Sequence, residues 1–153
     1  MSDIEAYQRL PWKDHFNQPA AGQLRKALPA EAAETFDNLR KHLLALDGVE
    51  ERLGWYGHCW HWTLVYQTAH AKDPLAVVIP SPEDLQLAIP LEPGFAKSLP
   101  LKRMKRAVRE GLDLAREPFD TRWAVWSLQM PRLIDDLIDL IDLKLRHLGR
   151  KAG

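Results

Sequence analysis

Apolar residues recur along this chain with two different periods. Ala33, Phe36, Leu39, Leu43 and Leu46 return every three or four positions, with Glu31, Glu34, Asp37 and Lys41 between them. That spacing lays one apolar stripe along a helix of about four turns. Residues 22–28 predict a single helical turn before it. Pro29 stands where the first turn tolerates a missing N–H, and Gly48 is a left-handed stop after it. From Trp55 the period drops to two. Trp60, Trp62, Leu64 and Tyr66 alternate with His61, Thr63 and Val65, which predicts a strand carrying those four side chains on one face. Leu75–Ile79 is a compact apolar run closed by Pro80 and Pro82, and Leu85, Leu87 and Ile89 alternate again. Short connections between three such runs predict an antiparallel meander.

The second half returns to helical spacing. Leu101, Met104, Val108, Leu112 and Ala115 form one stripe, and Leu133, Ile134, Leu137, Ile138, Leu140, Ile141, Leu145 and Leu148 cover a broad arc of a helix over about 131–148. Pro118 separates the first of these from a strand-like run, Thr121–Leu128, which places Trp123 and Trp126 on opposite faces. The order is helix, three or four strands, helix, strand, helix. It predicts an α+β fold: a mainly antiparallel sheet of four to five strands with helices packed on one face. Residues 1–21, anchored by Trp12, His15 and Phe16, read as an irregular N-terminal arm. Residues 22–148 read as a single α+β domain, and 149–153 as a tail.

Charge and composition narrow the partners. The 153 residues carry 21 Lys plus Arg against 21 Asp plus Glu, which argues against a nucleic-acid-coating protein. Lys102, Arg103, Lys105, Arg106 and Arg109 make a basic flank, but Glu110 and Asp113 dilute it, so no nucleic-acid partner is expected. Apolar runs are short and interrupted by charge, and Met1–Leu10 carries Asp3 and Glu5. No membrane association and no secretory signal are expected, and a cytoplasmic protein is the reading. Cys59, the one cysteine, leaves a reduced thiol and no internal disulfide. Composition is silent on oligomeric state.

Candidate chemistry concentrates in Trp55-Tyr56-Gly57-His58-Cys59-Trp60-His61-Trp62. His58, Cys59 and His61 are metal-ligating types. On a strand, however, His58 and His61 point to opposite faces, and a structural zinc site wants four ligands, so no metal site and no cofactor are expected. No catalytic set emerges: there is no glycine-rich phosphate loop, nucleophile elbow or H-E-x-x-H motif. The preferred reading is an aromatic wall that binds a small molecule or a protein partner at a concave face. Trp60, Trp62 and Tyr66 supply the rings and His58 a polar contact. A different class of reading uses Asp135, Asp139 and Asp142, which fall on one side of the last helix, as an acidic ridge for a cation. A third takes His58 or His61 as a base with a carboxylate partner.

Trp55-Tyr56-Gly57 with Trp60-His61-Trp62-Thr63-Leu64-Val65-Tyr66 resembles the "YG … GW … Y" opening of small bacterial domains of the YdhG-like (frataxin-type) group. Arg122-Trp123-Ala124-Val125-Trp126 and the run Leu133–Lys144 resemble that group's closing tryptophan strand and "D-x-x-L-I-x-x-K" helix. The resemblance spans about residues 30–148. It implies an α+β sheet with helices on one side. Through relatives of frataxin type, it also implies iron handling at the acidic helix face as the alternative function. Most members have no assigned activity, and there is no catalytic set to carry over. Pro80, Pro82, Pro90 and Pro93 make the middle of this chain more proline-rich than the group's pattern.

Overall fold

The structure, a computed structural model, describes residues 11–69, 71–115 and 122–152, with only the backbone of His58, Pro131 and residues 150–152. Thr121 and Pro118, used above to bound the late strand, lie outside the described residues. After a 3₁₀ turn at Pro11–Lys13 come α1 (Ala21–Lys26), α2 (Ala30–Leu44), β1 (Val49–Trp55), the single turn α3 (Gly57–Trp60), β2 (Trp62–Thr68), β3 (Ala76–Ile79) and β4 (Gln86–Pro90). Then follow α4 (Pro93–Ser98), a 3₁₀ turn at Leu101–Arg103, α5 (Arg106–Asp113), β5 (Trp123–Ser127) and α6 (Pro131–Ala152). The five strands form one antiparallel sheet in the order β1-β2-β3-β4-β5, so the chain is the α+β fold its periodicities predict.

Register explains the two-sided burial. One row of neighbours runs Leu53, Leu64, Val78, Leu87, Trp126 across all five strands. This row faces the helices. Phe36, Leu39 and Leu43 of α2, Val108 and Leu112 of α5, and Leu133, Leu137, Leu140 and Ile141 of α6 bury against that face. The adjacent row, Arg52, Val65, Val77, Ala88, Val125, faces the other way. There a smaller cluster of Trp60, Val65, Val77, Ile79, Ala88 and Trp123 forms, flanked by Tyr56 and Trp12. As expected, Trp123 and Trp126 take opposite faces. α5 comes so close to the sheet that a Cβ on Gly111 would collide with the Trp126 indole. Only glycine leaves room for that ring, whose Nε1 donates to Val108 O at 3.3 Å.

Three local features depart from the periodic reading. Val49–Trp55 is a strand although its apolar alternation is broken. Its core-facing position 51 is a glutamate, held by Arg40 Nε and Nη2 at 2.8 Å each and by the Tyr66 hydroxyl at 2.7 Å. The stripe from Leu101 to Ala115 is not one helix. Leu101 belongs to the separate 3₁₀ turn and is exposed, and α5 begins after the extended Lys105, so only Val108 and Leu112 bury. Residues 57–60 are a helical turn rather than strand, with Gly57 at φ 68° and His61 at φ 56°. Strand alternation therefore starts at Trp62.

Candidate functional site

That helical turn redistributes the aromatic residues. Trp62, Leu64 and Tyr66 share the helix-side core, whereas Trp60 turns to the opposite face of the sheet and packs edge-on against Trp123, centroids 5.0 Å apart. The four-residue wall expected on one face is thus split between two. The chain's own residues 12–15 cover both parts. Trp12 Nε1 donates to the Trp60 carbonyl at 3.0 Å, and Trp62 Nε1 donates to the Asp14 carbonyl at 2.6 Å. His15 stacks on Trp55 with ring centroids 4.3 Å apart. Trp60 and Trp62 are each 8% exposed, and Tyr66 is fully buried with its hydroxyl on Glu51. The side chain of His58 lies outside the described residues.

The Asp ridge of α6 meets α2 at Asp142. Asp142 reaches Nε2 of His42 at 3.2 Å rather than Arg146, which instead donates to the Asp142 carbonyl at 3.4 Å. Asp135 and Asp139 are exposed. Among the described residues no group of three or more His, Cys, Asp or Glu side chains is gathered as a metal would need.

A well-formed concavity lies elsewhere. At the end of the sheet where β1 and β3 begin and β2 and β4 finish, a cleft of about 610 Å³ opens. That volume is within the range of small-molecule sites. One wall is the β2–β3 connection with Thr68, Lys72 and Asp73; another is the end of β4 with Pro90 and Glu92. Lys144, Leu145 and Leu148 of α6 form the third, and Asp47 and Gly48 close the rim. Gly48, at φ 75°, makes the turn that brings Asp47 there. None of Trp60, Trp62 and Tyr66 lines this cleft.

Lys144 is the unusual member. It follows Leu137, Leu140 and Ile141 on the buried stripe of α6 and is only 3% exposed. Its Nζ donates to the carbonyls of Pro74 and Leu75 at 2.9 and 3.1 Å, pinning the start of β3 to α6. Among the described residues, no carboxylate touches it at ion-pair distance. Burial pushes its amine down to about 7, although the charges of Asp73 and Glu92 pull the other way. Such a lysine is in large part a neutral amine near neutral pH, which an exposed lysine is not.

Sequence reasoning passed over Lys144 because one lysine near a helix end normally lays its stem on apolar surface with its head in water. The available signal was its phase, in register with Leu137, Leu140 and Leu148. Comparison with known proteins finds no matching family model and no significant match among curated proteins. Among the described residues, no helix is long and apolar enough to cross a membrane.

Proposed function

We propose that this protein binds a small organic molecule in the cleft between the β2–β3 connection and the C-terminal part of α6. The observation that carries this reading is the sunken Lys144 amine in the wall of the 610 Å³ cleft. A buried amine without a contacting carboxylate is costly to maintain, and sites of chemistry or recognition are where such groups concentrate. Leu145, Leu148 and Pro90 offer the guest an apolar side; Thr68, Asp73 and Glu92 offer polar contacts. This reading keeps the small-molecule ligand expected from the sequence but moves it away from Trp60, Trp62 and Tyr66, whose rings the chain itself covers.

The test is a fragment screen followed by amide chemical shifts of the whole chain, repeated with Leu148→Trp to fill the cleft. Binders should shift amides of residues 68–73 and 144–149 in the wild type and lose that effect in the filled variant. Shifts confined to the region of Trp12, Trp60 and Trp62 would instead support the aromatic face. If no fragment perturbs residues 68–73 or 144–149, the cleft reading fails.

A further inference from the structure

We propose that a second copy of this chain docks along the outer edge of β1, pairing the two β1 strands antiparallel about a twofold axis through Glu51.

The phase of the hydrogen-bond ladder opens that edge. Among the described residues β1 has one neighbour in the sheet, β2. Tyr56 N–H donates to the His61 carbonyl at 2.9 Å, and the same register sets Arg52 opposite Val65. Directly opposed residues of an antiparallel pair alternate between exchanging hydrogen bonds and exchanging none. Glu50, Arg52 and Gly54 therefore direct their backbone groups to β2, and Glu51, Leu53 and Trp55 direct theirs away from it. Tyr66, opposite Glu51, fits that phase: its carbonyl accepts from Leu75 N–H at 2.8 Å, toward β3. Among the described residues the outward backbone groups of Glu51 and Leu53 have no partner.

Charge selects the occupant and the register. In this phase a twofold axis between two copies of β1 passes through a residue. An axis at Glu50 or at Arg52 sets that charge against itself, which destabilises the pairing. An axis at Glu51 sets Glu50 of each copy opposite Arg52 of the other. These fall at the close, non-bonded positions of the new ladder, where opposed side chains interact most strongly. Glu50 and Arg52 are exposed, and neither has an ion-pair partner among the described residues. The same axis lets Glu51 exchange both backbone bonds with its counterpart and Leu53 N–H donate to the Val49 carbonyl of the second copy. The partly buried side chains of Val49 and Leu53 then meet across the seam.

An inward-pointing charge is a common guard on a sheet edge. Glu51 is a poor guard, because Arg40 pairs with it at 2.8 Å and the Tyr66 hydroxyl donates to it at 2.7 Å. No bare carboxylate is left at the axis. The other edge strand, β5, reads Trp-Ala-Val-Trp-Ser over Trp123–Ser127 and has no charges to set a register.

Sedimentation velocity of the full chain from micromolar to millimolar concentration tests this, with backbone amide hydrogen exchange measured at both ends of the range. The chain should pass from monomer to dimer. The Glu51 and Leu53 amides should exchange fast in the monomer and slowly in the dimer, whereas those of Glu50 and Arg52 should be slow in both. Arg52→Glu and Glu50→Arg each oppose like charges across the seam and should weaken association about tenfold or more. Mixed in equal amounts, the two variants regain opposite charges and should form a heterodimer at wild-type concentrations. A chain that stays monomeric throughout overturns the proposal. If its Glu51 and Leu53 amides are nevertheless slow, the edge is covered by a segment of the same chain. A dimer in which those amides still exchange fast uses another surface and overturns it equally. A dimer indifferent to both charge reversals, or not rescued by mixing, overturns the register.

Discussion

Glu51 and Lys144 both enter the helix-side core, and the protein treats them in opposite ways. At the α2–β1 contact, Glu51 receives a two-pronged guanidinium from Arg40 and a hydroxyl from Tyr66. Burial pushes its carboxyl up, but the hydrogen bonds from Arg40 and Tyr66 outweigh that, and it finishes below the ordinary glutamate range. At the α6–β3 contact, the hydrogen bonds of Lys144 among the described residues go to carbonyls, and burial prevails over the more distant charges of Asp73 and Glu92. A charge closed off by hydrogen-bonded partners is inert and ties elements together. A group with no contacting counter-charge among the described residues is pushed toward its neutral form, here in the wall of a cleft.

Several substitutions break or sharpen that contrast. The yardstick is the apolar core that surrounds both groups. Leu137→Ala, at a fully buried position of α6, should lower unfolding free energy by ~2–5 kcal/mol in denaturant titration. A loss below ~1 kcal/mol would mean that α6 does not bury this face.

Arg40→Met strips Glu51 of its guanidinium and should cost ~1–3 kcal/mol near neutral pH. That is less than a fully enclosed pair would lose, because the Arg40 side chain is 37% exposed. The carboxyl is depressed in the folded state, so its contribution is complete above the unfolded value of 4.5 and disappears as pH falls through the lower folded value. The gap between wild type and Arg40→Met should therefore close in acid. A gap independent of pH would place the cost in lost packing.

Lys144 should show the reverse pH dependence. Between about 7 and 10.5 the unfolded chain holds a proton on this amine that the folded chain lacks, so folding becomes more favourable as pH rises. Measured against Lys144→Met, wild-type stability should climb by up to ~1.4 kcal/mol per pH unit across that window. It should be flat below the window and level off above it. A flat difference from pH 7 to 10 would remove the contrast with Glu51.

The smallest effect is expected at Arg25–Asp37, an ion pair of 2.8 Å between half-exposed side chains. Asp37→Asn should change stability by less than ~1 kcal/mol, and added salt should erase the change. A larger loss would show that burial is not what separates charges that matter here from those that do not.

The same distinction governs what the amino-acid sequence discloses. α2, α6 and β2 to β4 are legible because their inward positions are apolar at the period of the element. β1 is hidden by its inward Glu51, which reads as surface until Arg40 and Tyr66 are seen to reach it. Trp60 is assigned to the wrong face because a local turn, with a positive φ at His61, interrupts an alternation that looks continuous in letters. The cleft is illegible for a third reason. Its walls come from the α2–β1 turn, the β2–β3 connection, the end of β4 and α6, and only strand register brings these together. Lys144 was visible as a lysine in phase with leucines, but its burial depends on what lies opposite.

The strand order also carries a kinetic consequence. β1 to β4 join through short connections and can zip up as successive hairpins, whereas β5 reaches β4 only after residues 91–122 have been closed into a loop. Relative to the six-residue β3–β4 connection, that closure adds roughly 1.5 kcal/mol of chain entropy. β5 is then the last strand to dock, and the wedging of Trp126 beneath Gly111 belongs to the downhill side of the folding barrier. Trp126→Phe should accelerate unfolding and leave the folding rate nearly unchanged, whereas Val78→Ala in the central meander should slow folding. Until β5 arrives, Leu87 and Ile89 stand on an open edge, so refolding at high protein concentration should lose yield through β4-to-β4 association, and a slow folding arm for Trp126→Phe would refute that order.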